Sequence, residues 1–552
     1  MKNERRRVGK TSGLRACARG LLMLAGLLAA LAEPARAGIF GGPDHPLPQL
    51  VKQDGRYALF VEGAPFLVLG VQCHNSSAWP AMLPKVWPGI EYVHANTLEI
   101  PVYWEQFEPA PGRFDFSNVD ILLQQARAHQ VRLVLLWFAT WKNGSAHYLP
   151  LWAKDQPDQF PRMIGRNGRP VDSPSPHAPA ALAADAHAFA ALMHHLKQVD
   201  GRRTVIMVQV ENEAGTWGGV RDFSPAAEKL FAQPVPAELL TALGRTAAAG
   251  GDWPTVFGTN ADEYFHAWSV ASFIGRVAAA GKAEYPLPMY VNAALRDPLT
   301  PGPAGTYESG GPTDNVLEIW KAAAPALDML CPDIYQNDSA RYRRALELYA
   351  RPDNALFVPE TGGTGLNARY CFAALGLGAI GWCPFGIDYS SYSPEPQGAP
   401  RMTEASLAPI ALSFKLLEPM MREAARLNFE GKLQALAEEP GHARQTLDFG
   451  HWLAVVTFGA GGRNNSTNGN ATPVGRVLVA KLGENQFLVT GDWCKVEFKP
   501  VDGRKRDFRR VEEGAYGDGV FHPIRIWNGD ETDYGLSFFS APQLLRVALG
   551  EY

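Results

Sequence analysis

The chain has 552 residues, room for two or three domains, and 46% of them are hydrophobic, enough for a large core. Its formal net charge of −4 becomes −10 once residues 1–37 are set aside, because eight of the 52 Lys/Arg and two of the 56 Asp/Glu lie there. That acidic balance, with no basic stripe, excludes nucleic acid as a partner and favours a neutral substrate.

Residues 1–37 have the form of a secretory leader. Lys2, Arg5, Arg6, Arg7, Lys10, Arg15 and Arg19 make a basic start, residues 21–31 are apolar, and Ala35-Arg36-Ala37 precedes Gly38 as a small-residue cleavage site. The apolar stretch is too short to span a bilayer and no later run reaches that length, so the expectation is a secreted or periplasmic protein without a membrane anchor.

From about residue 65 to 427, apolar runs alternate with amphipathic helical stretches. Strands are expected at 66–71, 97–103, 131–138, 205–210, 289–293, 329–334, 355–359 and 379–383. Helices are expected at 118–129, 184–199, 340–349, 368–377 and 406–427. Eight strands alternating with helices predict an α/β fold, a (β/α)8 TIM barrel over residues 38–427. No Gly-x-Gly-x-x-Gly turn follows the first strand, which argues against a dinucleotide fold. The connections 139–183 and 214–288 are long, and long loops at the C-terminal face of a barrel usually build the substrate site. Beyond 427 short apolar strands recur between Gly, Asn and Asp turns, predicting an all-β, sandwich-like domain over 428–552.

Two of the barrel strands carry the chemistry. The run Thr204-Val205-Ile206-Met207-Val208 leads into Glu211-Asn212-Glu213, and Ala355-Leu356-Phe357-Val358-Pro359 leads into Glu360. Buried strands that deliver carboxylates at their C-terminal ends, on the fourth and seventh strands of a barrel, point to a glycosidase working with two carboxyl groups. Glu213 is the expected general acid/base and Glu360 the expected nucleophile. Tyr103, Glu105, Tyr290, Asn292 and Tyr335 lie at or beside strand ends as candidate sugar contacts. Trp141, Trp217 and Trp382 follow strands three, four and eight as candidate stacking platforms. His74 lacks a second ligand at metal spacing, and no CxxC or Cys/His metal pattern occurs, so no metal and no cofactor are expected. Five cysteines remain after the leader; they read as buried thiols, with one disulfide an alternative. The oligomeric state is not encoded in any of these patterns.

The motif Pro101-Val102-Tyr103-Trp104-Glu105, with Phe107-Glu108-Pro109 and Gly112-Arg113-Phe114-Asp115-Phe116, resembles glycoside hydrolase family 35, the β-galactosidases. Gln209-Val210-Glu211-Asn212-Glu213 matches that family's acid/base motif. Val358-Pro359-Glu360 stands at its nucleophile, and Met289-Tyr290-Val291-Asn292 and Cys331-Pro332-Asp333-Ile334-Tyr335 at its fifth and sixth strand ends. Asp530 to Gly535 resembles the β-domain of the family's bacterial branch. The resemblance implies a retaining exo-β-galactosidase that removes terminal β-galactose, for example from xyloglucan side chains, with Asn212 on the sugar 2-hydroxyl. Another retaining β-glycosidase on the same barrel, endo-acting or specific for a different sugar, is the alternative. One position departs from the family: Gln72 in Val71-Gln72-Cys73-His74-Asn75-Ser76-Ser77 replaces a carboxylate.

Overall fold

A computed structural model describes residues 45–245, 250–390, 402–459, 469–517, 519–539 and 543–552. The expected leader lies outside the described residues. Eight parallel strands close a barrel in chain order: Val68–Gln72, Thr97–Tyr103, Arg132–Lys142, Val205–Asn212, Met289–Ala294, Met329–Ile334, Val358–Thr361 and Gly381–Pro384. Their residues are buried almost without exception, because side chains fill the barrel on one face and helices cover the other. All eight expected strands are present. The seventh and eighth each start two or three residues later than their apolar runs: Ala355, Leu356 and Phe357 are buried before the seventh begins. A register shift between Val358 and Thr361 interrupts that ladder, where Pro359 lacks an N–H to donate.

The surroundings add features with no clear sequence signal. A three-stranded antiparallel sheet (Gln49–Gln53, Arg56–Val61, Ala64–Phe66) precedes the barrel. The stretch expected as one helix over 406–427 is two, Glu404–Leu417 and Met421–Phe429. Pro419 falls in the break, where it has no N–H to donate to a continuing helix. The long connection after the fourth strand folds into short helices and the 24-residue helix Ala261–Glu284, which packs on Pro179–Val199 outside the barrel. No helix among the described residues is long and apolar enough to cross a membrane.

The C-terminal region is a sandwich of a six-stranded and a four-stranded antiparallel sheet around a core that includes Trp452, Val477, Val489, Val496, Leu536 and Val547. Leu433, Ala435, Leu478, Leu488 and Leu544 join the barrel's core instead, so the six-stranded sheet is braced on the barrel. Arg369 strengthens this seam, its Nε donating to the Glu438 carbonyl at 3.3 Å. The buried Glu438 carboxylate accepts from the N–H of Asn470 (2.7 Å), its side-chain amide (2.7 Å), and the N–H of Val474 (3.0 Å) and Gly475 (2.9 Å). Replacing Glu438 by Ala strands these donors and is expected to cost about 3–5 kcal/mol. Urea unfolding of the purified variant measures it; a loss under about 1 kcal/mol would show that this anchor is dispensable.

The five cysteines after the leader are free and buried, so the disulfide alternative is not realised.

Candidate active site

Glu213 sits one residue beyond the fourth strand. In a regular strand Glu211 and Glu213 would point to the same side. Both adopt left-handed backbone (φ 63° and 43°), a strained choice for non-glycine residues that breaks the alternation. Glu211 packs beside Asp185 on the helix Pro179–Val199 and accepts the Trp141 N–H at 2.7 Å, while Trp137 Nε1 donates to Asp185 at 2.8 Å. Burial pushes both carboxyls up, and the Trp137 bond to Asp185 ties the helix to the strands. Glu213 is thereby freed to face the barrel mouth.

There Glu213, Asp333 and Glu360 each place a carboxylate oxygen within 4.8 Å of the other two. The sixth and seventh strands align Asp333 with Glu360, which explains their proximity. The two key carboxyls live in different surroundings. Glu360 accepts from the Tyr335 hydroxyl at 2.5 Å and from Gln72 Nε2 at 3.0 Å, two donors that hold its carboxylate in place. The Glu213 carboxyl is pushed up to about 7, by burial first and by the Glu360 charge second, with Lys142 opposing both. Burial, then Glu360 and Glu213, push the Asp333 carboxyl well above its ordinary range.

Backbone and amide contacts set the rest. Asn292 Oδ1 accepts the Glu213 N–H at 2.9 Å and its Nδ2 donates to Asp333 at 2.7 Å. Lys142, beside Asn212 in the register of the third and fourth strands, donates to Asn212 Oδ1 at 2.6 Å. An ammonium can only donate, so the Asn212 amide is fixed with Nδ2 turned away, buried and without a partner among the described residues. Gln72 Oε1 and Asp333 Oδ1 are also buried and have no hydrogen-bond partner among the described residues. Polar atoms left bare together at one barrel mouth are acceptors and donors waiting for a polar ligand.

The other candidates divide. Tyr335 is partly exposed and holds Glu360. Tyr103 accepts the Ala78 N–H at 3.1 Å and stacks between Trp79 and Tyr148, with ring centroids 5.9 and 5.4 Å away. Tyr290 turns into the barrel interior and donates to Glu99 at 3.2 Å. Glu105 points outward to Lys154 at 3.5 Å. Trp141 packs edge-on against Phe273, and Trp382 donates to the Tyr342 hydroxyl at 2.9 Å; both are buried core residues. Trp217 is 52% exposed and beside the site. His74 is paired with Asp388, Nδ1 to Oδ1 at 3.0 Å. The sequence reading passed over Lys142, which ends a buried strand just as Asn212 does, and so carried a usable signal. It also passed over Trp79 and Glu308, which lie in loops without periodicity. A separate cavity of about 620 Å³, lined by Trp253, Phe265 and Trp268 between the two long outer helices, contains no carboxylate.

The sequence profile of a domain of unknown function (DUF5597) matches residues 410–539. No curated protein matches the chain in sequence. Among solved structures, the chain is similar to the β-galactosidase from Bacillus circulans sp. alkalophilus at a TM-score of 0.49 and 14% identity, covering 65% of this chain and 57% of that one. It is similar to the β-galactosidase from Rahnella sp. R3 at 0.47 and 16%, covering 66% and 58%. The exo-β-1,4-mannosidase Op5Man5 from Opitutaceae bacterium strain TAV5 follows at 0.38 and 17%, covering 61% and 54%. The chain thus spans less than three fifths of the length of these proteins.

Proposed function

We propose that the protein is a retaining glycoside hydrolase, an exo-β-galactosidase of the family 35 type, exported by its leader to the periplasm or the medium. One observation carries the reading: two carboxyls within 4.8 Å across a barrel mouth, one surrounded by donors and one pushed up to about 7. That spacing suits direct attack by a carboxylate, for which carboxyls stand about 5–5.5 Å apart, and is short of the roughly 6.5–9.5 Å with which an inverting enzyme fits a water beside the sugar. Glu213 donates its proton to the glycosidic oxygen while Glu360 attacks the anomeric carbon and the bond to the leaving group breaks. Glu213, now a carboxylate, takes a proton from water, which releases the sugar from Glu360. Asn212 Nδ2 is positioned to donate to the sugar 2-hydroxyl, a contact that strengthens as positive charge develops at the ring. Galactose as the sugar, and exo action, rest on the motif resemblance.

A panel of nitrophenyl β-glycosides, followed by NMR of the first-formed anomer, tests the proposal. Turnover of the β-galactoside with β-galactose appearing first is the expected result. Turnover of another sugar keeps the mechanism and changes the substrate; an α anomer as first product would sink the retaining mechanism.

A further inference from the structure

Glu308 lies outside the three-carboxylate cluster, yet it is 1% exposed and close enough for the Glu213 and Lys142 charges to act on it. A backbone bridge fixes it there: Thr216 N–H donates to the Ser309 carbonyl at 2.8 Å and Ser309 N–H to the Thr216 carbonyl at 3.1 Å. Two glycines make the space. A Cβ on Gly215 would stand 2.7 Å from Glu308 Cγ, and one on Gly144 would stand 2.7 Å from Glu308 Oε1 and 2.9 Å from Trp217 Cδ1. The Gly144 N–H in turn donates to the Glu213 carbonyl at 2.9 Å. Carboxyl and indole therefore meet over one glycine bonded to the acid/base residue. Despite this burial, Glu308 Oε1 has no hydrogen-bond partner among the described residues. Folded proteins rarely leave such an atom bare. Trp217, half exposed, supplies an open aromatic surface beside it.

Position decides what these two residues serve. The acid/base protonates the oxygen of the departing group; Gly144, Trp217 and Glu308 follow the third, fourth and fifth barrel strands, around Glu213, whereas Glu360 is on the seventh, so these side chains flank the departing group and not the sugar being transferred. We propose that Glu308 and Trp217 form a leaving-group subsite that takes a second pyranose ring, whose C–H face lies on Trp217 and whose hydroxyl bonds to Glu308. The inference rests on the glycosidase reading and deepens it: the natural leaving group is a sugar, not a small or purely apolar alcohol. Burial first and Glu213 second push the Glu308 carboxyl well above its ordinary range, with Lys142 opposing, which favours the form that donates as well as accepts.

The test compares kcat/KM for a β-linked disaccharide and for the glycosyl fluoride of the same sugar, using the sugar that the glycoside panel identifies. Fluoride places nothing in a leaving-group subsite. Wild type, Glu308→Ala and Trp217→Ala are assayed on both. The expected result is that each substitution lowers the disaccharide value at least about tenfold more than the fluoride value. Trp217 is exposed, so its variant folds even if Glu308→Ala does not. Equal losses on the two substrates for Trp217→Ala, or for a folded Glu308→Ala, would overturn the subsite. A wild type inactive on every glycoside would instead overturn the reading of Glu213 and Glu360, and this inference with it.

Discussion

Glu360→Ala is expected to abolish turnover of β-glycosides, by on the order of 10⁴-fold or more in kcat, because a nucleophile that acts as part of a unit cannot be replaced by its neighbours. The remaining structure should be little disturbed. Tyr335 is partly exposed and can turn to water, and Gln72 loses one bond of its buried amide. The cavity left by the carboxyl lies on the face of the sugar opposite the leaving group. Azide entering it attacks the anomeric carbon once, with inversion, so the variant supplied with azide and an activated β-galactoside should accumulate α-galactosyl azide. That product assigns the role by stereochemistry, independently of the size of the rate loss. Full activity in Glu360→Gln would place the nucleophile elsewhere.

How much of this was legible in the sequence follows from what burial does to residue patterns. The barrel strands were readable because parallel strands covered on both faces become continuous apolar runs, and each polar residue ending such a run marks the mouth. Glu213, Asn292, Tyr335 and Glu360 were found by that rule. Tyr290 and Trp382 do not end their strands: each is its strand's second residue, with Tyr290 turned into the barrel toward Glu99 and Trp382 toward the outer helices that carry Tyr342 and Phe414. Left-handed backbone at Glu211 and Glu213 has no one-dimensional signature, although it decides which of the two glutamates reaches the site. Gln72 stood out in the sequence as a missing carboxylate. In the folded chain it is a neutral donor to Glu360, which avoids a further anion beside the nucleophile. Glu308 could not have been read from its neighbours in sequence, because the Thr216–Ser309 bridge that brings it to the acid/base joins two irregular loops more than ninety residues apart.

Glu213 carries the second large effect. As a proton donor it works only while protonated, and with its carboxyl pushed up to about 7, the protonated fraction falls as pH rises through that value. The wild-type profile of kcat/KM should therefore lose activity above about pH 7, and Glu213→Gln should lack that limb. Glu213→Ala should lower kcat/KM by roughly 10²–10⁴-fold on a disaccharide, whose leaving oxygen needs the proton, and far less on a dinitrophenyl glycoside, whose leaving group does not. Azide should return β-galactosyl azide from this variant, since it enters on the leaving-group face. Lys142→Met removes the cation that opposes burial and Glu360, so the limb should move to higher pH. The limb also depends on the state of the enzyme. Once Glu360 is esterified its negative charge is gone, one of the two causes raising Glu213 disappears, and the carboxyl falls toward its ordinary range. Glu213 is then ionised at neutral pH and can act as the base toward water. Conditions in which release of the sugar from Glu360 limits turnover should therefore show kcat persisting to higher pH than kcat/KM. Coincident basic limbs under those conditions would mean that Glu213 does not exchange its proton roles through the charge of Glu360.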